Sequence, residues 1–181
     1  FTVVASDGTL SSNQDVVVSV IDLNDNTAVI SSGATGTVNE NADTTTVIYT
    51  AAATDADGTS AHNTLSYSLT GADADLLTIN ATTGEVRLKN AADYESKASY
   101  SFTVVASDGT LSSNQDVVVS VIDFNDNTAV ISSGATGSVN ENAATDTVIY
   151  TAAATDADGT SAHNTLSYSL TGADADLLTI N

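Results

Sequence analysis

Residues 100–109 read Tyr-Ser-Phe-Thr-Val-Val-Ala-Ser-Asp-Gly, and their alternation is that of a strand with one face in a core. Tyr100, Phe102, Val104 and Ala106 fall on one side and Ser101, Thr103, Val105 and Ser107 on the other, because successive side chains of a strand point to opposite faces. Asp108-Gly109 then supplies turn chemistry. The run Phe-Thr-Val-Val-Ala-Ser-Asp-Gly also opens the chain, at Phe1.

That recurrence extends over most of the protein. Residues 1–80 return as residues 102–181 with 76 of 80 positions identical, so the unit is 101 residues long. Such a period is too long for a helical solenoid unit and long enough to bury a core, which predicts small domains in tandem. The chain opens and stops inside a unit and contains no Met, which predicts an interior window of a longer array.

Within the one complete unit, period-two stretches rich in Val, Ile, Thr and Tyr predict strands near 28–32, 46–53, 64–69, 75–79, 84–89, 99–107 and 114–122. Leu65, Tyr67 and Leu69 repeat the pattern of 100–107 between Ser66 and Ser68. No helical period runs over any useful length. Seven short strands predict an all-β sandwich, with turns at Asp57-Gly58, Thr83-Gly84 and Asp108-Gly109. The absence of Pro removes X-Pro isomerisation from folding.

Charge narrows the function. The 23 acidic side chains face only Arg87, Lys89 and Lys97, a formal net charge of -20. A nucleic-acid binder needs clustered cations to release phosphate counterions, and an anionic membrane repels this chain for the same reason. A hydrophobic content of 41% in regular alternation argues against disorder. Self-repulsion on this scale resists compaction unless it is neutralised, and a divalent metal is the obvious neutraliser. With no Cys there is no disulfide framework and no thiolate zinc site.

The acids are grouped. Asp22-Leu23-Asn24-Asp25-Asn26 and its copy Asp123-Phe124-Asn125-Asp126-Asn127 each follow one strand and precede the next unit's first strand. Flexible linkers are Gly and Ser rich, whereas these strings hold oxygen-bearing side chains and no Gly. Asn39-Glu40-Asn41, Asp55-Ala56-Asp57, Asn63, Asp93-Tyr94-Glu95 and Asp108 complete the set. Calcium takes six to eight such oxygens in a forgiving geometry.

These motifs, in this order, resemble the calcium motifs of cadherin repeats, and LSYSLTG with TINATTGEVRL adds to the likeness. The similarity covers the whole chain. Near-identical units without Pro, Trp or Cys resemble the cadherin-like extender repeats of large bacterial surface adhesins of the RTX type. The resemblance implies seven-stranded Greek-key, cadherin/Ig-like β-sandwich domains in tandem, with several Ca2+ ions, about three, at each junction. It implies the C-terminal strands of a preceding repeat plus linker at 1–26, a complete repeat plus linker at 27–127, and the N-terminal part of a following repeat at 128–181.

For the second junction the implied ligands are Glu40, Asp93 and Glu95 of the lower unit, and Asp123, Asn125, Asp126 and the carbonyls of Phe124 and Asn127 in the linker. The upper unit adds Asp156, Asp158 and the carbonyl of Asn164. For the first junction they are Asp22, Asn24, Asp25, Asn26, Asp55, Asp57, Asn63 and Asp108. Asp7 and Glu141 are expected to serve neighbouring junctions. Tyr94 stands where the family has Arg, leaving one fewer cation beside the site.

The function so implied is a calcium-rigidified extender of an extracellular adhesin, not an enzyme. Its partners are calcium and adjacent repeats. A self-assembling filament or biofilm matrix repeat, with like chains as partners, is the alternative. Asp15, Asp43, Asp73, Asp75, Glu85, Asp116 and Asp146 are expected to serve solubility and strand edges, His62 and His163 to be loop residues, and Asn80-Ala81-Thr82 matches a glycosylation sequon. The partial units at the two ends are expected to need completion by further repeats or by strand exchange with neighbouring chains.

Overall fold

A computed structural model describes residues 1–181. The chain begins with a hairpin of β1 (Thr2–Ser6) and β2 (Ser11–Asp15). There follow β3 (Val29–Ile30), β4 (Thr35–Asn39), β5 (Tyr49–Thr50), β6 (Ala53–Thr54), a single helical turn α1 (Ser60–Asn63) and β7 (Ser66–Thr70). A 3-10 turn at Ala74–Leu76 leads into β8 (Leu77–Ile79), then β9 (Glu85–Leu88), β10 (Ser99–Ser107) and β11 (Ser112–Ile122). Beyond residue 127 lie β12 (Val130–Ile131), β13 (Ala154–Thr155) and a 3-10 turn at Ala175–Leu177.

Residues 29–122 form a β-sandwich. One sheet runs β4-β11-β10-β7 and the other β5-β9-β8, with β3-β6 as a short extra ladder. The expected inward face of β10 is the buried one: Tyr100, Phe102, Val104 and Ala106 are inside. The first three join Val117, Val119 and Val121 of β11 and, from the opposite sheet, Tyr49, Val86 and Leu88 in one core. The rings of Tyr49 and Phe102 pack edge to face, their centroids 5.9 Å apart.

The repeat reproduces itself at the level of register. Thr2 pairs with Asp15 in the first hairpin as Thr103 pairs with Asp116 in β10-β11. In both, the Thr hydroxyl donates to the Asp carboxylate across the strands at 2.6 Å. Asp15 and Asp116 are thus cross-strand acceptors on the solvent face.

The observed strands depart from expectation in three places. β4 is absent from the period-two reading, because only Val38 of its five residues is buried and its ladder to β11 is parallel. Gly36 lets it pass the neighbouring chain: a Cβ there would sit 2.8 Å from the Ile48 carbonyl. The stretch 46–53 is not one strand. The Ala51 N–H donates to Gly84 of the three-stranded side, while the Ala52 carbonyl accepts the N–H of Ser31, so the chain changes sheets between two alanines. Gly84, at φ +71°, passes so close to the Ala51 carbonyl that no Cβ fits. Finally, residues 60–63 form a helical turn that no periodicity announced.

Asp73 corrects a further expectation. It is only 9% exposed, and its carboxylate accepts the Ser101 N–H at 2.7 Å and meets the Lys97 ammonium at 2.9 Å. Burial pushes this carboxyl up, but the Ser101 N–H and Lys97 outweigh it and hold it below the ordinary 3.8. A depressed carboxylate stabilises the fold above its unfolded value, and that contribution disappears as pH falls through the folded value. We expect Asp73→Ala to cost about 1–3 kcal/mol, mainly by orphaning the Ser101 N–H. Urea titrations below about pH 4 should show the variant losing less stability with acid than the parent.

Candidate metal centres

The sandwich places its acids at its two ends. β10 follows Asp93-Tyr94-Glu95 and precedes Asp108, and β11 runs into Asp123, so the central hairpin positions acids at both junctions.

At the first junction, carboxylate oxygens of Asp55, Asp57 and Asp108 lie within 4.8 Å of one another. Asp108 is about 50 residues away in sequence and arrives through the β10-β11 turn, where the N–H groups of Thr110 and Leu111 hold its carboxyl below the ordinary range. Asn26 donates to Asp57 at 2.7 Å and to Asp25 at 2.9 Å. The Asn63 amide donates to the Asp57 carbonyl at 2.8 Å, so its side chain shapes the loop and leaves its own carbonyl as the candidate ligand. Asp22 accepts the Gly58 N–H, the Thr59 hydroxyl and a His62 ring nitrogen at 2.9 Å. His62 first, then Thr59, hold Asp22 low.

The second junction holds two groups that share a member. Glu40, Asp93 and Glu95 converge, and so do Glu95, Asp123 and Asp158. Glu95 therefore links acids of the lower unit to the linker and the upper unit. Glu40, 2% exposed, accepts the Tyr94 N–H at 3.0 Å and the Phe124 N–H. Asp93 is held low by the hydroxyl and N–H of Ser96. Asp123 accepts the Thr160 hydroxyl, a His163 ring nitrogen at 2.8 Å and the Gly159 N–H, and Thr160 is the first cause of its lowered pKa.

Asp158 is 2% exposed. Burial pushes its carboxyl up, but the side-chain amide and N–H of Asn127 win and leave it low. Asn164 donates to the Asp158 carbonyl at 2.8 Å, as Asn63 does to Asp57. Glu95 goes the other way: burial, then the charge of Glu40, raise it.

Other expected ligands are placed less closely. Asp156 accepts the Asp158 N–H at 3.0 Å. Asp126 is exposed, bound to the side chains of Asn41 and Asn127, and Asn125 is exposed. The Phe124 carbonyl accepts the Asp126 N–H. Asp7 closes its own turn on Thr9 and Leu10, and Glu141 is exposed.

Five residues play parts that the sequence left unassigned. His62 and His163 are not idle loop residues; with Thr59 and Thr160 they grip the linker aspartates. Asn41, at φ 58°, turns out of β4 and reaches Asp126 at 2.5 Å. The only available signal was the Thr-x-x-His spacing, which becomes meaningful once α1 closes a turn.

The donor set suits a hard cation. Buried side-chain oxygens without a hydrogen-bond partner occur on Asn24, Asp55, Asp57, Asp108 and Asp158, all in the acidic motifs, and otherwise only on Ser113. A buried carboxylate oxygen without a donor is costly, and Asp55, Asp57, Asp108 and Asp158 each belong to a group of converging acids. Oxygen-only ligands favour calcium over zinc or copper.

Comparison with known proteins bears on the fold and the family. Residues 34–122 match the Cadherin domain family. Human Protocadherin Fat 1 is 33% identical over 157 residues, covering 84% of this chain, which spans 3% of that protein. Mouse Cadherin-23 EC22-24 superposes with a TM-score of 0.78 at 29% identity, over 97% of this chain and 58% of that one. The Protocadherin gammaB7 EC3-6 cis-dimer structure gives 0.70 at 26%, over 88% and 42%.

Proposed function

We propose, on the premise that this chain carries a cadherin-like repeat, that it is a calcium-stiffened segment of an extracellular adhesion protein. The observation that carries this reading is Glu95, whose carboxylate belongs at once to a lower-unit group and to one completed by Asp123 and Asp158. We divide the chain accordingly at 1–26, 27–127 and 128–181, with the linker strings as joints.

The residues act in a simple way. Glu40, Asp93 and Glu95 present negative charge upward, and Asp123 and Asp158 present it downward, so the bare joint repels itself and bends. Bound there, calcium supplies positive charge shared by oxygens of both units and the linker. Asn127, Thr160 and His163 keep the linker and upper-unit carboxylates oriented toward the joint. Near-identical units, with no Pro, Cys or Trp, support placing the array on a bacterial surface as an extender, although the matched relative is an animal protein.

Small-angle scattering of the chain in calcium and in chelator tests the reading. The maximum dimension should fall and the profile should become that of a jointed chain when calcium is removed. An unchanged dimension would sink the stiffening mechanism. The same data address a second reading, association between like chains, which draws on the cis-dimer of Protocadherin gammaB7: forward scattering that grows beyond one chain mass would favour it.

A further inference from the structure

Tyr94 does something at the second junction that charge alone does not explain. Its ring is half-buried against the core of the complete unit. Its other side meets the following unit at Gly159, where a Cβ would overlap ring atoms Cδ1 and Cε1. Only glycine leaves room for the ring. The backbone at both ends of the contact is fixed: the Tyr94 N–H donates to Glu40, and the Gly159 N–H donates to Glu95 at 3.0 Å.

The chain carries its own control. Gly58 occupies the same place in an identical loop, Asp55 to Thr70 repeating as Asp156 to Thr171, and no aromatic ring lies within 4 Å of its Cβ position. The nearest atom there is Asp22 Oδ1 at 3.3 Å. Neither glycine has a positive φ, so alanine is conformationally acceptable at both.

We infer that Tyr94 and Gly159 form a docking contact that sets, by shape, the orientation of one unit on the next when the joint is closed. The ring edge lies on the backbone beside a Glu95 carboxylate oxygen, and the ring's own share of the contact follows from dispersion and excluded water. It also gives the tyrosine in Asp93-Tyr94-Glu95 a purpose. An arginine there would offer charge to the acids, whereas the ring offers shape to the neighbour. The inference rests on contact geometry and not on the calcium reading.

Proton NMR of the full chain tests it in calcium and in chelator. The Hα signals of Gly159 should be displaced upfield of those of Gly58 by the ring current in calcium, and the displacement should shrink in chelator as the joint opens. Tyr94→Ala should return them to the Gly58 position, and Tyr94→Phe should retain the displacement. Gly159→Ala should shift residual dipolar couplings between β10-β11 and the 154–164 loop, while Gly58→Ala leaves them at parent values. Equal shifts for the two glycines in calcium, or couplings unmoved by Gly159→Ala, would each overturn the inference. A displacement intact in a chain that fails to titrate calcium supports the docking contact and sinks only the metal reading.

Discussion

We expect Glu40→Gln to weaken one of the two proposed calcium sites and to leave the other. In a calcium titration against a competing chelator, the variant should lose about 100-fold in affinity at the second junction, since disturbing even an outer partner of a metal ligand costs about 10–100-fold. The first junction draws on Asp55, Asp57 and Asp108 and should titrate as in the parent. Two properties make Glu40 the sensitive position. Its carboxylate is buried, and both oxygens already accept backbone N–H groups, from Tyr94 and Phe124. Glutamine removes the charge and turns an amide donor toward one of those N–H groups, so the linker is displaced as the site is weakened.

The repeat provides the comparison. Glu141 occupies the same Asn-Glu-Asn string, yet it is exposed and belongs to neither acid group of the second junction. Glu141→Gln should leave the titration unchanged. Identical isotherms for Glu40→Gln and the parent would remove this glutamate from the metal site.

How far such a result was readable in advance depends on which interaction does the work. β10 was legible to the residue because nine positions alternate without interruption and one side of them is core. β4 was not, because Thr-Gly-Thr-Val-Asn hides its strand character in a parallel ladder and a single buried valine. The break between Ala51 and Ala52 left no trace either: alanine suits both environments, and the change of hydrogen-bond partner is a tertiary event.

The acids behaved similarly. The motifs nominated Glu40, Glu95, Asp123 and Asp158, and the fold places Glu95 in one group with Glu40 and in another with Asp123 and Asp158. Geometry had to supply the residues that hold the acids in place. Thr160 and His163 matter because a helical-turn spacing aims both at Asp123, and Asp73 was misread as a surface acid because its partner, Lys97, is distant in sequence. Tyr94 looked like a missing cation until Gly159 was placed against it.

Phe102→Ala should cost the complete unit about 3–5 kcal/mol, the usual range for removing a buried phenylalanine. The ring is 2% exposed, packs edge to face on Tyr49, and sits mid-sheet opposite Val117. Total stabilities of about 5–15 kcal/mol make that a large share. Phe1, the same residue in the same octapeptide, is 76% exposed, and Phe1→Ala should move the urea midpoint hardly at all. The consequence reaches both joints. β10 spans nine residues, about 30 Å at strand rise, with Glu95 before one end and Asp108 after the other. Loosening its centre unfolds the framework that holds acids at both ends, so folding and metal binding are linked. Calcium at about a hundred times its dissociation constant adds about 2.7 kcal/mol per independent site. The variant should therefore remain folded in excess calcium and lose its urea transition in chelator, with a lowered midpoint and an unchanged slope wherever a transition remains. Equal losses for Phe102→Ala and Phe1→Ala would contradict the packing, and a midpoint indifferent to calcium would contradict the link between core and joint.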